Sequence, residues 1–341
     1  MYIKLLGHLG SPYSRKMRSF LRYKRIQYEW IQSNTYEAES LPPPTIPIIP
    51  AVYFENEKFS VGHTDSTPLI QTLNEICLQR TTIPPDPVLR FLNELLEDFS
   101  DEWLNKIMFY YRFNFDANRN AQFLLLATNP SMEEKVLNEF GRVFEQRQVN
   151  RLSQIFDLNA KSMNFLETCY VNVLKLFDDI LRENNYIFGS RPCSADFGFF
   201  GQFSQLVLTD PAPADIALHN TIRLRPWCEL MEDLSGLDLS SARWMTRDLI
   251  ESSDSHKRLL QEVNDIYLPI LNANFTALIN NQNDFTVDLR GCLWKQNVNK
   301  YNAKCLRQLC KSYDILSYED KMFIKSLGIN FQGNKVVSSR L

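Results

Sequence analysis

No stretch of the 341 residues is apolar for long enough to cross a membrane, and residues 1 to 8 run straight into an apolar strand instead of a signal-peptide layout. Cysteine occurs seven times, at Cys77, Cys169, Cys193, Cys228, Cys292, Cys305 and Cys310, and never as a C-x-x-C pair. An odd, scattered set of this kind argues against a disulfide framework and against a structural zinc site. Histidine is scarce: His8, His63, His219 and His256 show no metal-ligand spacing. A dominant charge is missing too, since a formal net charge of −3 exerts no overall pull on nucleic acid or an anionic membrane. These absences predict a cytoplasmic protein with a reduced thiol complement, no metal, and neither nucleic acid nor membrane as partner.

What is present centres on Gly10-Ser11-Pro12-Tyr13-Ser14, which follows the apolar run Met1 to Leu6. Ser11 is a good N-cap, and Pro12 at the first helical position loses no hydrogen bond. Tyr13, Met17, Phe20 and Leu21 fall on one helical face and Arg15, Arg18, Arg22 and Arg25 on another. A strand that runs into a hydroxyl-capped helix start presents free N–H groups, which suit an anion or a thiolate. Plain helix capping asks for the same residues.

Gln27 to Ile31 alternates and predicts a second strand, giving a β-α-β start with a parallel pair. A proline-rich loop spans Leu41 to Pro50. Ala51 to Phe54 and Phe59 to Val61 predict a hairpin around the polar Glu55 to Lys58, and Asp65-Ser66-Thr67-Pro68 opens a helix with apolar Leu69, Ile70, Leu73 and Ile76. Thr81 to Pro87 reads as a rigid linker. From Val88 to about Gly236 helical periodicity prevails, with Phe197 to Val207 apolar nearly all round. Beyond it, 259–271 suggests a helix with Pro269 near its middle or at a junction, and 298–313 and 317–327 suggest two more. The run Lys295, Lys300, Lys304, Arg307 and Lys311, with Trp294, Tyr301 and Tyr313 interleaved, reads as a solvated face.

A short β-α-β/β-β-α domain, a proline-containing linker and an all-α domain resemble a glutathione S-transferase. Ser11-Pro12-Tyr13-Ser14 with Arg15 and Arg18 is similar to the serine-type segment of the tau, theta and zeta classes. Ile49-Pro50-Ala51-Val52 is similar to the family's apolar residue and cis-proline, and Asp65-Ser66 to its acidic-Ser pair. Gly189 to Phe197 is similar to its buried N-capping box, with Cys193 where Ser or Thr is usual and Asp196 three residues on. The resemblance covers about residues 1 to 235. It implies an α+β thioredoxin-like glutathione-binding domain (1–80) and an all-helical substrate domain (88–240); the extension (241–341) departs from the family, whose members usually end near Gly236, and is expected to be helical and packed on the latter.

Glutathione is then the implied substrate and the one small-molecule cofactor, with an apolar electrophile as its partner. Ser11 would donate a hydrogen bond to the glutathione sulfur, with Tyr13 and Ser14 as alternative donors. Ile49 and Pro50 would present main chain to the cysteinyl residue, and Pro50 stands out among the nearby prolines because it directly precedes the strand. Asp65 and Ser66 would take the γ-glutamyl ammonium and carboxylate. Trp103, Phe109, Tyr110 and Arg112 are candidates for the electrophile pocket, although an aromatic-rich helix is more often simply core. Family members are commonly dimers, so a homodimer is open to this chain. Two other readings stay alongside: a non-catalytic binding or scaffold protein, and a glutathione-dependent thiol transferase or peroxidase using Cys193.

Overall fold

The computed structural model describes residues 1–333. β1 (Tyr2–Gly7) lies parallel to β2 (Gln27–Gln32), joined by α1 (Pro12–Lys24). Ser11 caps α1 through its side chain, and Arg25 ends it in the left-handed region at φ 55°. After the short α2 (Tyr36–Glu39), β3 (Ala51–Phe54) runs antiparallel to β1, and β4 (His63–Thr64) antiparallel to β3, so the sheet order is β2-β1-β3-β4. α3 (Ser66–Ile76) closes the unit. The last strand falls at His63–Thr64 and not at Phe59 to Val61. A 3₁₀ turn over Glu55–Glu57 and left-handed Lys58 and Phe59 break the extended chain there.

The helical part comprises α4 (Pro87–Phe99), α5 (Asn105–Asn114), α6 (Ala117–Leu126), α7 (Glu134–Ile155), α8 (Ala160–Glu183), α9 (Ser194–Leu206), α10 (Pro211–Asn220) and α11 (Leu224–Met231). A π-helical stretch, Ser100–Leu104, joins α4 to α5 without a break. Every residue of α9 is buried. Gly201 lets α1 approach it closely, since a Cβ there would stand 2.7 Å from the Pro12 carbonyl oxygen. The arginine face of α1 also meets this part: Arg15, Arg18 and Arg22 all reach the Glu232 carboxylate just beyond α11.

α12 (Arg247–Ser252), α13 (Asp254–Glu262) and α14 (Leu268–Ile279) follow. A second π-helical stretch, Val263–Tyr267, sits where Pro269 lacks the N–H that the regular ladder needs. Next comes an antiparallel hairpin, β5 (Asp284–Leu289) and β6 (Cys292–Asn297), so the extension is not wholly helical. α15 (Lys300–Asp314) and α16 (Tyr318–Ser326) complete the described chain, the latter with the expected Ser317 cap. One apolar core runs from Leu5 and Phe20 through Phe197 and Phe203 to Leu306 and Ile324, and a small second cluster of Leu6, Ile31, Ala51 and Tyr53 covers the other face of the sheet. Among the described residues no helix is long and apolar enough to cross a membrane.

Candidate functional site

Strand register brings the predicted segments together. Ala51 pairs with Leu6 on one side and Thr64 on the other. The loop from Gly7 to Ser11, the approach of Ile49-Pro50 to β3, and Asp65-Ser66 therefore all leave the sheet at one end. The Ile49–Pro50 peptide is cis. Ile49 is half-buried, and its N–H and C=O pair with no other main-chain group among the described residues.

The three hydroxyls near the start of α1 differ in what they have left to offer. Ser11 Oγ accepts the Ser14 N–H at 3.3 Å and donates to nothing among the described residues. Ser14 is fully buried and accepts the His8 N–H at 3.2 Å. Tyr13 donates to the Asp101 carbonyl at 2.7 Å and accepts from Asn105 at 2.9 Å, which uses both capacities of its oxygen. Burial, then the Glu102 and Asp101 carboxylates, push its phenol well above the usual range, so it stays protonated. Only Ser11 has an uncommitted donor on an accessible side chain.

The loop before Ser11 is held from the helical part. Arg112 is 3% exposed and spends its guanidinium on Asp210 (2.9 and 3.0 Å), Gln205 (2.6 Å) and the Gly10 carbonyl (2.6 Å). It is therefore a brace for the Gly10–Ser11 turn and not a free cation for an electrophile. Trp103 and Tyr110 are fully buried as well. The Trp103 ring packs on Trp294 of β6 at 5.3 Å, and Tyr110 donates to Glu167 at 2.7 Å. Phe109 is only partly buried, packed on Phe113 at 4.7 Å. The expected pocket wall is thus corrected for Trp103, Tyr110 and Arg112: the hairpin fills the space over Trp103, and an ion pair ties down Arg112. Cavities of about 380 Å³ between α8 and the hairpin, and about 300 Å³ around α10, are lined by none of the four.

At the start of α3, Asp65 takes a positive φ of 77° and its side chain caps nothing. Its carboxylate instead accepts the Tyr301 hydroxyl at 2.9 Å and the Lys304 ammonium at 2.7 Å, both from α15. Ser66 is 5% exposed, and its hydroxyl has no partner among the described residues. Beneath it, Thr67 donates toward Glu97 and Asp101, the two carboxylates that hold the buried Lys16 at 2.6 and 2.5 Å. Burial opposes the Lys16 charge, but Asp101 and Glu97 outweigh it and raise its pKa.

Cys193 is sealed in the core with its thiol donated to Asp196 at 3.1 Å, and burial, then that carboxylate, push it well above the usual thiol range. It offers no thiolate, which removes the nucleophile from the thiol-transfer reading. Asp196 accepts the Cys193 N–H at 2.8 Å and the Ile187 N–H at 2.9 Å, which forms the acid's half of the capping box. Among the described residues no group of histidine, cysteine and acids is placed to hold a metal.

Residues 5–77 match the family model described as "Glutathione S-transferase, N-terminal domain". Residues 5–77 are thus similar to the N-terminal domain of glutathione S-transferases. No curated protein matches it. Among solved structures, the β-etherase LigF from Sphingobium sp. strain SYK-6 aligns at 14% identity over 77% of this chain and 100% of its own, with a TM-score of 0.47. A glutathione transferase family member from Pseudomonas fluorescens with two glutathione bound aligns at 18% identity over 67% and 86%, TM-score 0.41. The tau class enzyme from mango, Mangifera indica, aligns at 14% over 67% and 87%, TM-score 0.38. Likeness at this level says nothing of what the present chain binds.

Tyr301 and Lys304 are the site residues that sequence reasoning missed. Both stand in the basic, aromatic-interleaved run after Trp294, in which Lys295, Lys300 and Lys311 are exposed, whereas Arg307 is half-buried over the Phe275 ring and does not belong to a solvated face. The signal was that run; what it lacked was any hint of a partner.

Proposed function

We propose that this chain binds glutathione, or a peptide thiol of its kind, at the end of the four-stranded sheet and activates the thiol for transfer to an apolar electrophile. The observation that carries the reading is the convergence of Ser11, Ile49-Pro50 and Asp65-Ser66 inside a segment that matches the transferase N-terminal domain. Unpaired Ile49 main chain is suited to the cysteinyl backbone, in the manner of an added strand. The Ser66 hydroxyl and the first N–H groups of α3 suit a ligand carboxylate. Ser11, whose hydroxyl donates to no other described residue, would donate to the sulfur, and donor plus helix terminus would favour thiolate over thiol.

A second reading is a binding or scaffold protein on the same fold. It is favoured by α15 lying against Asp65 and by the burial of Trp103, Tyr110 and Arg112. Thiolate absorbance of the bound ligand, followed as pH is raised, separates the two. Activation predicts a bound-thiol pKa below that of free glutathione, and a rise of about one unit in Ser11→Ala without loss of binding. An unshifted thiol in the wild type would leave a binding protein.

A further inference from the structure

Asp65 would hold the ligand's ammonium on the reading above, yet its carboxylate already has a resident cation. Lys304 Nζ lies 2.7 Å from one oxygen, and the Tyr301 hydroxyl 2.9 Å from the other. The Asp65 side chain is 14% exposed. These partners do not leave with a small movement of the helix. Ala303, Leu306 and Leu309 of α15 are buried in the common core, and Asn302 donates to the half-buried Glu102 at 2.5 Å. Asn299, at the helix start, exchanges hydrogen bonds of 2.7 and 2.8 Å with Asn274. Undocking α15 would bring apolar side chains into water and leave Glu102 without that donor. Rotation of the Lys304 side chain alone would still leave its charge on a helix fixed beside Asp65.

A second ammonium placed on Asp65 would therefore share a carboxylate whose charge Lys304 already balances, and would sit next to that cation. An anion held instead by the nearly buried Ser66 hydroxyl, which has no partner among the described residues, and by the uncapped start of α3 would have Lys304 to offset the Asp65 charge beside it.

We propose that Lys304 sets the ligand specificity of this subsite, so that it takes the carboxylate of a thiol peptide whose acidic acyl end carries no α-ammonium. This rests on the peptide-thiol reading above and names the ligand class within it. The class differs from glutathione at one group only: glutaryl-cysteinylglycine keeps the carboxylate, the thiol and the glycine and lacks the amine.

Calorimetric titration of the full chain with glutathione and with glutaryl-cysteinylglycine tests it, on the wild type and on Lys304→Met. Lys304 is 61% exposed, so the substitution spares the core. The wild type is expected to bind the deamino peptide roughly three- to fivefold more tightly, the range of a partly exposed ion pair, and Lys304→Met to abolish or invert that preference. A wild type that prefers glutathione, or a preference unchanged in Lys304→Met, overturns the proposal while leaving peptide-thiol binding in place. Binding of neither peptide at millimolar concentration overturns both.

Discussion

Lys16 has no exposed surface, and its ammonium is shared by Glu97, Asp101 and Thr67. It ties α1 to α4 and to the start of α3, directly beneath the candidate site. Lys16→Met should leave two buried carboxylates facing each other and cost about 3–5 kcal/mol in urea unfolding, although Met fills much of the same volume. Nothing in the sequence marked Lys16, because its carboxylate partners stand 81 and 85 residues away. Ser11 was legible, because capping chemistry is local. Asp98 gives a second test at this scale. Burial pushes its carboxyl from 3.8 up to about 6, against the hydrogen bond from Tyr267 at 2.6 Å. A folded-state pKa above the unfolded value means that the folded chain binds the extra proton, so the Asp98 penalty is absent below pH 4, grows through pH 4 to 6 and is constant above. Asp98→Asn should remove it. The variant should gain stability over the wild type by up to about 3 kcal/mol at pH 7 relative to pH 4, read from paired urea curves at the two pH values.

The hairpin of β5 and β6 matters out of proportion to its length. It places Trp294, fully buried, on Trp103 at 5.3 Å and on Phe156 at 4.8 Å. Trp294→Ala should cost about 3–5 kcal/mol and collapse the near-ultraviolet circular dichroism of the tryptophan pair, while the thioredoxin-like unit keeps its sheet. The period-two pattern was present in the sequence. Phe285 and Leu289 alternate with polar residues up to an Arg290-Gly291 turn, and Cys292, Trp294 and Gln296 repeat it on the way back. It was overlooked because the Trp294 to Tyr313 stretch read as a basic face. Its burial depends on helices contributed by distant sequence. The β-α-β/β-β-α unit was legible for the opposite reason: short connections join elements of strong local periodicity, and the one misplaced strand failed where Lys58 and Phe59 turn left-handed.

Across the whole molecule, a single core joins the sheet unit, the helices around α9 and the extension. The extension reaches the candidate site through Tyr301 and Lys304, at separations of 236 and 239 residues from Asp65, contacts that no local pattern announces. Family resemblance pointed to Ser11, Pro50 and Asp65 and had no counterpart for α15. The central claim is that the end of the sheet is a peptide-thiol site read through Ser66. The measurement that tests it most directly is calorimetric titration of the full chain and of Ser66→Ala with glutathione. Saturable binding by the wild type, weakened about tenfold in Ser66→Ala by loss of one hydrogen bond to a charged group, is the expected result. An unchanged affinity in Ser66→Ala, or no heat of binding at millimolar glutathione, would contradict it.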